Sequence, residues 1–280
     1  LDDAYRHCEA LVRDADKERF LASLFVPADR RRHVLALYAF NVEIARVRDV
    51  VHEPLPGEIR LQWWRDALAG QGHGEVSGNP VAAALIDTVD RFDLPREVLQ
   101  ALIDAHGFDL YDDPMQSLDE LEDCVRKTSS AVIGLAADLL RPFKSTELAQ
   151  AVEAGGVAYG LTAILRAFPR HAARGQVYVP RDLLARHGVG PEDVTARHKI
   201  PGVSQALAEL RDRAQRQLDD SGFTRIGGTA AAALLPLALV GPLLKTLRRQ
   251  DTDPFVAIDL PQWRKQWALW GMARRMNRSV

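Results

Sequence analysis

Asp49 closes the stretch NVEIARVRD (41–49), and its carboxylate is the first group in the chain whose surroundings suggest metal chemistry. Two carboxylates four residues apart share one helix face and can hold one divalent cation between them. One turn before Asp49, however, stands Ala45, while Glu43 is rotated by about 120° from the Asp49 direction. Arg46 and Arg48 lie close by and oppose a bound Mg²⁺. By itself the segment reads as a working metal site, an altered one, or a salt-bridged helix face.

A second stretch, VAYGLTAILRAFPRHAARGQVYVP (157–180), sets Tyr159, Ala163, Arg166, Ala167 and Arg170 on one stripe, with His171 beyond the interruption at Pro169. Arg166 has the chemistry to bind an anion and His171 to ligate a metal, but no carboxylate joins them within a turn. A histidine beside a helix end is equally a surface or capping residue. The run Arg30, Arg31, Arg32, with Lys17 and Arg19, is either a phosphate-binding cluster or a solvated face. No Gly-rich phosphate loop, nucleophile elbow or His-Glu-x-x-His pattern is present. The two cysteines, Cys8 and Cys124, lack the spacing of a zinc site and fit a reducing compartment.

The elements that must position these groups are helical. Apolar residues recur at three- and four-residue spacing almost throughout, and alternating strand patterns are scarce. The pattern predicts helices at about 4–22, 31–51, 57–70, 80–91, 95–106, 117–140, 145–168, 203–220, 228–247 and 261–275. Within 31–51, Val34, Leu37, Tyr38, Ile44, Val47, Val50 and Val51 form a broad apolar sector, and Pro54 and Pro56 end the helix. GQGHGEVSGNP (70–80) and DLYDDPMQS (109–117) read as connectors, and GQVYVP (175–180) as a short extended segment.

At 280 residues, 47% of them hydrophobic and with no linker dividing them, the chain is expected to form one domain, 1–280, that is all-α. A net charge of −2 provides no general field for nucleic acid or anionic membrane. The chain opens on Leu1 without a charged-then-apolar leader. The most apolar stretch, 227–244, contains Pro236 and Pro242 and reads as a buried core helix, or less simply as a peripheral docking face. In LQWWRDAL (61–68), adjacent Trp63 and Trp64 fall on different helix faces; with Trp263 and Trp267 of QWRKQWALW (262–270) they are either core residues or partner contacts.

Taken together, FLASLFVPADRRRHVLALYAFNVEIARVRD (20–49), LQWWRDAL, LIDAHGFDL (102–110) and AYGLTAILRAFPRHAARGQVYVPRDLL (158–184) resemble the squalene/phytoene synthase family. The resemblance implies an isoprenoid-synthase helical bundle around a central cavity, in which two aspartate-rich helices hold Mg²⁺ for the head-to-head joining of prenyl diphosphates. Carried over by position, the first motif falls on Ala45 and Asp49, with Asn41 and Val42 where the family has Cys-Arg. The second falls on Ala163, Ala167 and His171, and the later Gly-Arg-x-Tyr-x-Pro turn becomes Gly175, Gln176, Tyr178 and Pro180.

One carboxylate cannot assemble a metal cluster able to neutralise a departing diphosphate. Even a single lost preorganised donor costs about 3–4 kcal/mol of barrier. The chain most resembles a divergent branch of the family related to the mitochondrial complex I assembly factor. The resemblance therefore implies a non-catalytic fold acting in complex I assembly, with a protein partner or a lipid-like ligand and possible peripheral membrane contact, and no cofactor. Its place would be cytoplasmic or at the inner membrane, on the matrix side in a eukaryote. The alternative is a prenyltransferase that binds diphosphate through Arg46, Arg48, Arg166 and Arg170 with Tyr38 and Tyr178, in which Mg²⁺ would return as a cofactor.

Overall fold

The computed structural model describes residues 1–51, 53–72, 76–111, 113–140, 145–251 and 253–276, all in helices and connectors; no strand occurs among them. The helices are α1 (Asp2–Ala15), α2 (Lys17–Ser23), α3 (Ala28–Ala45), α4 (Val47–Val50), α5 (Pro54–Leu68), α6 (Pro80–Phe92), α7 (Arg96–Ala105) and α8 (Leu118–Val125). There follow α9 (Ala131–Leu140), α10 (Thr146–Ala173), α11 (Arg181–Arg186), α12 (Pro191–Thr195), α13 (Pro201–Ser221), α14 (Ala231–Leu234), α15 (Val240–Leu247) and α16 (Gln262–Met276). Parts of two connectors read above, at 73–75 and Asp112, lie outside the described residues, as does His52 of the expected break after 31–51.

Short polar side chains set the helix starts. Asn79 accepts hydrogen bonds from the Val81 and Ala82 amides, Ser117 from Glu120, and Ser145 from Leu148, each satisfying first-turn donors that have no partner within the helix. Asp16 corrects the expected helix 4–22. Its non-helical backbone ends α1, and its carboxylate accepts the Arg19 amide at 3.0 Å to begin α2. The expected helix 31–51 likewise divides at Arg46, where a tight bond from the Asp49 amide to the Arg46 carbonyl replaces the α-helical pattern. Pro169, by contrast, does not end α10. Pro169 itself is buried, and Phe168 before it stacks on Phe255 with ring centroids 5.5 Å apart, so packing carries the helix through to Ala173.

The stretch 227–244 is buried over most of 230–244, but as α14, a 3-10 turn (Leu235–Leu239) and α15, not as one helix. Pro236 has no amide hydrogen to continue an α pattern. Segment 31–51 also differs from its amphipathic reading. His33 to Phe40 are buried on every side of α3, while Val50 is exposed.

α3 packs against α1, α6 and α9, and α10 runs along α13, with contacts to α8, α9 and α15. α10 is the one described helix long and apolar enough to cross a membrane by length and composition. Of its apolar window 61% is buried in this bundle, as in a core helix. Beside α10 the chain makes a π-helical turn, Arg126–Ser130, set close by glycine: a Cβ on Gly156 would lie 2.4 Å from the Ser130 Cα.

Near the start of α3 a buried polar chain ties three helices. Arg32 Nε donates to His33 Nε2 at 3.3 Å, so the imidazole proton resides on Nδ1 and points at Thr88 Oγ1 and Tyr5 Oη, both 2.9 Å away. Tyr5 in turn donates to Asp87 at 2.6 Å. Burial, with Arg32 adding to it, lowers the His33 pKa from its ordinary 6.5 to about 4.

Candidate functional site

The residues with metal or anion chemistry lie on three elements: the α3–α4 junction, the inner stripe of α10, and the extended segment after it. Asp49, on α4, does not stand open. The Arg174 guanidinium, just past α10, donates to its carboxylate. Ala45 and Ala163 are exposed and Ala167 is half-buried, so no side chain at these positions supplies an oxygen.

His171 packs against the Tyr178 ring at 4.5 Å, and its Nδ1 is buried with no partner among the described groups. Burial, then Arg170, lowers the His171 pKa to about 4, which keeps the ring neutral. Tyr178 donates its hydroxyl to Asp109 Oδ1, and the other Asp109 oxygen is 2.6 Å from His106 Nδ1. Burial and Asp109 together push the Tyr178 hydroxyl far above its ordinary pKa. Tyr178 is thus committed to a carboxylate, as Asp49 is to a guanidinium.

Mg²⁺ does not fit this donor set. It asks for several oxygen ligands in octahedral geometry. Here the one carboxylate at the motif positions is already charge-paired, and His171 offers nitrogen. No group of three His, Cys, Asp or Glu side chains able to hold a metal occurs among the described residues.

Deeper between the same two helices, Arg19 of α2 fills the space. Its guanidinium carbon lies 5.4 Å from the Tyr38 ring centroid on α3 and 5.3 Å from that of Tyr159 on α10. Burial pushes the Tyr38 pKa to about 12, even with Arg19 working against it. Next to this stack, Glu18 receives Arg166 at 3.1 Å and Lys265 Nζ at 2.8 Å, while Asp259 receives Arg166 at 3.2 Å and Lys265 at 2.6 Å. Lys265 is only 2% exposed. Burial opposes the charge on Arg166, but Glu18 and Asp259 outweigh it and hold its pKa above the usual value. Arg166 therefore serves as a structural cation.

The remaining candidates separate. Arg46 and Arg170 are exposed, and Arg48 is half-buried with its guanidinium 3.4 Å from the Val51 carbonyl. The basic run does not form a phosphate cluster. Arg30 lies over the Phe92 ring at 4.7 Å and Arg32 over Tyr5 at 4.9 Å, while Arg31 donates to the carbonyls of Ser23, Leu24 and Val26. Trp64 is a core residue, 5.1 Å from Phe40, which corrects its reading as a partner contact; Trp63 beside it is half-buried. Trp263 and Trp267 are exposed, and the reading of these two as core residues is the one that fails. Five surface grooves are lined elsewhere, none of them by Tyr38, Ala45, Ala163 or Ala167.

Sequence reasoning missed Glu18, Asp109, Arg174, Asp259 and Lys265. Only Lys265 left a local signal: on a helix it is about 160° from both Trp263 and Trp267, opposite the two tryptophans. The others are united by chain crossings that no spacing reveals.

The chain is an all-helical bundle with its two motif positions on α3–α4 and α10, and it belongs to the squalene/phytoene synthase family, whose sequence profile matches residues 12–271. Within that family it is similar to NADH dehydrogenase (ubiquinone) complex I, assembly factor 6, of rat, with 31% identity over 281 residues, spanning 95% of this chain and 84% of the relative. The human assembly factor 6 is 32% identical over 251 residues, 89% of this chain and 75% of the relative. Chloroplastic phytoene synthase 2 of tomato is 26% identical, over 91% of this chain and 84% of the relative. Among solved structures, the squalene synthase HpnC of Alicyclobacillus acidocaldarius superposes with a TM-score of 0.75 at 26% identity, covering 90% of this chain and 96% of that one. A dehydrosqualene synthase in complex with ligand gives 0.81 over 98% of this chain and 96% of its own, at 18% identity, a likeness of fold alone.

Proposed function

We propose that this chain is a non-catalytic member of its family that acts in the assembly of respiratory complex I by binding a protein partner or a lipid-like molecule. The observation that carries this reading is the state of the motif positions. Ala45, Ala163 and Ala167 offer no ligand, and the surviving Asp49 is spent on Arg174. A prenyl diphosphate that cannot recruit Mg²⁺ must be activated by fixed cations instead, and Arg166 is already neutralised by Glu18 and Asp259. The similarity to the rat and human assembly factors over most of the chain supports the assembly role.

Two measurements test it. The purified chain, incubated with farnesyl or geranylgeranyl diphosphate with and without Mg²⁺, is expected to yield no squalene- or phytoene-length product; such a product overturns the non-catalytic reading. Deletion of the gene is expected to deplete mature complex I on native gels, and an unchanged complex removes the assembly role.

A further inference from the structure

α16 has two apolar faces where a docked helix needs one. Lys265, Leu269, Ala273 and Met276 are buried against the bundle. At 100° per residue, Trp263, Trp267 and Trp270 fall within about 60° of one another on the opposite side. They are 57%, 63% and 43% exposed. Single exposed apolar residues need no explanation, but three indoles in one line form a patch that calls for a covering surface. Arg274 continues the line with its guanidinium 4.5 Å from the Trp270 ring, and Arg264 lies 5.1 Å from the ring of Trp263. Trp267 and Trp270 meet edge to face at 5.5 Å.

The charge around this ridge has one sign. Residues 240–250 and 261–276 together hold six Lys and Arg besides the buried, ion-paired Lys265, and no Asp or Glu, in a chain whose net charge is −2. A groove of about 350 Å³ between α15 and α16 runs along the ridge, lined by Lys245, Arg249 and Arg264 beside Trp263 and Trp267, with no acidic side chain in its wall.

We propose that this ridge is a membrane-docking surface, with α16 lying flat on an anionic lipid bilayer. Tryptophan settles at the headgroup level, where its ring is apolar and its N–H is wet. Three such rings along one straight line reach a flat surface together, as an in-plane amphipathic helix requires. Lys245, Arg264 and Arg274 beside them meet the anionic headgroups, and the local excess of cations selects that surface from a neutral one. A protein partner would need an acidic groove shaped to a convex helix; a bilayer accepts the ridge as it is. The inference does not depend on the assembly role, since it concerns the purified chain and lipid alone.

The test uses the full chain with vesicles of phosphatidylcholine alone and of phosphatidylcholine mixed with phosphatidylglycerol. Co-sedimentation is expected with the anionic vesicles, together with a blue shift of tryptophan emission, and both should weaken as salt is raised. The pair Trp267→Ser and Trp270→Ser, and separately the pair Lys245→Gln and Arg264→Gln, should each weaken binding by about tenfold while the melting temperature is kept. No binding to anionic vesicles overturns the proposal, as does binding that both variants retain. Equal binding to neutral vesicles overturns it as well, because charge is what selects the surface. A dimer in solution that the tryptophan pair abolishes, without vesicle binding, assigns the ridge to a second copy instead.

Discussion

Arg174 donates to the Asp49 carboxylate across 125 positions of sequence, joining the segment after α10 to α4. The pair sits where the resemblance places one half of a metal site, and it uses the negative charge that a cation would need. Both side chains are partly exposed, 46% and 39%, so the pair contributes little stability. Arg174→Ala is expected to cost under about 1 kcal/mol in urea denaturation. Calorimetric titration with Mg²⁺ should stay flat for both the native chain and this variant. A saturable heat from the variant would mean that Asp49 has oxygen partners beyond the side chains around it.

Lys265 should matter far more. Lys265→Met leaves Glu18 and Asp259 with Arg166 as the one cation among the described residues that bridges both, and Arg19 beside Glu18. A buried carboxylate deprived of a partner costs about 2–4 kcal/mol, read as a lower urea midpoint. Combining Glu18→Gln with Lys265→Met should cost less than the sum of the two singles, since the second change removes the charge that the first has stranded. Strict additivity would remove the coupling.

Acid should loosen the fold through His33 before it reaches the carboxylates. The folded pKa of about 4 lies below the ordinary 6.5, so between those values the unfolded chain takes up a proton that the folded chain refuses. Stability therefore falls as pH drops through this window, by about 1.4 kcal/mol per unit for one histidine, and the effect levels off below about pH 4. His171, also held at about 4, adds to the slope. Urea midpoints measured across the window for the native chain and His33→Gln should show a shallower slope in the variant, whatever its absolute stability. Parallel lines would refute the assignment.

Gly156→Ala tests the close approach of α10 to the π-helical turn. The added methyl would meet Ser130 at its Cα as well as its hydroxyl, and backbone cannot swing aside as a side chain does. The expected loss is about 1–3 kcal/mol, although alanine is the better helix former. Gly271→Ala on α16, whose Cβ meets nothing within 4 Å, serves as the control and should be neutral or slightly stabilising.

The all-α class and most helix positions were legible because the apolar periodicity of α6, α7 and α13 is read directly from spacing. The divisions at Asp16 and Arg46 were not, because nothing in the apolar pattern changes there; one depends on a side chain capping its own turn, the other on a local tightening of the backbone. The absence of ligands at Ala45, Ala163 and Ala167 could be seen in the sequence, since a missing oxygen needs no geometry. What occupies the interior instead could not. Arg19 looked like part of a basic surface run, and only folding brings Tyr38 and Tyr159 to either side of it. Trp64 and Trp267 show the same limit in reverse: both sit in similar aromatic-basic contexts, and tertiary packing alone decides that one is core and the other surface.

Glu18 and Lys265 are 247 positions apart. During synthesis, α2 and α10 leave the ribosome long before Lys265 has been added to the chain. Through that interval Glu18 must stay hydrated or rely on Arg166 and its neighbour Arg19, so this part of the bundle cannot reach its final ion pairing until nearly all of the sequence has emerged. A stalled or shortened nascent chain would expose a carboxylate where the finished protein has an ion pair, giving a quality-control protease or chaperone a feature that separates incomplete chains from complete ones.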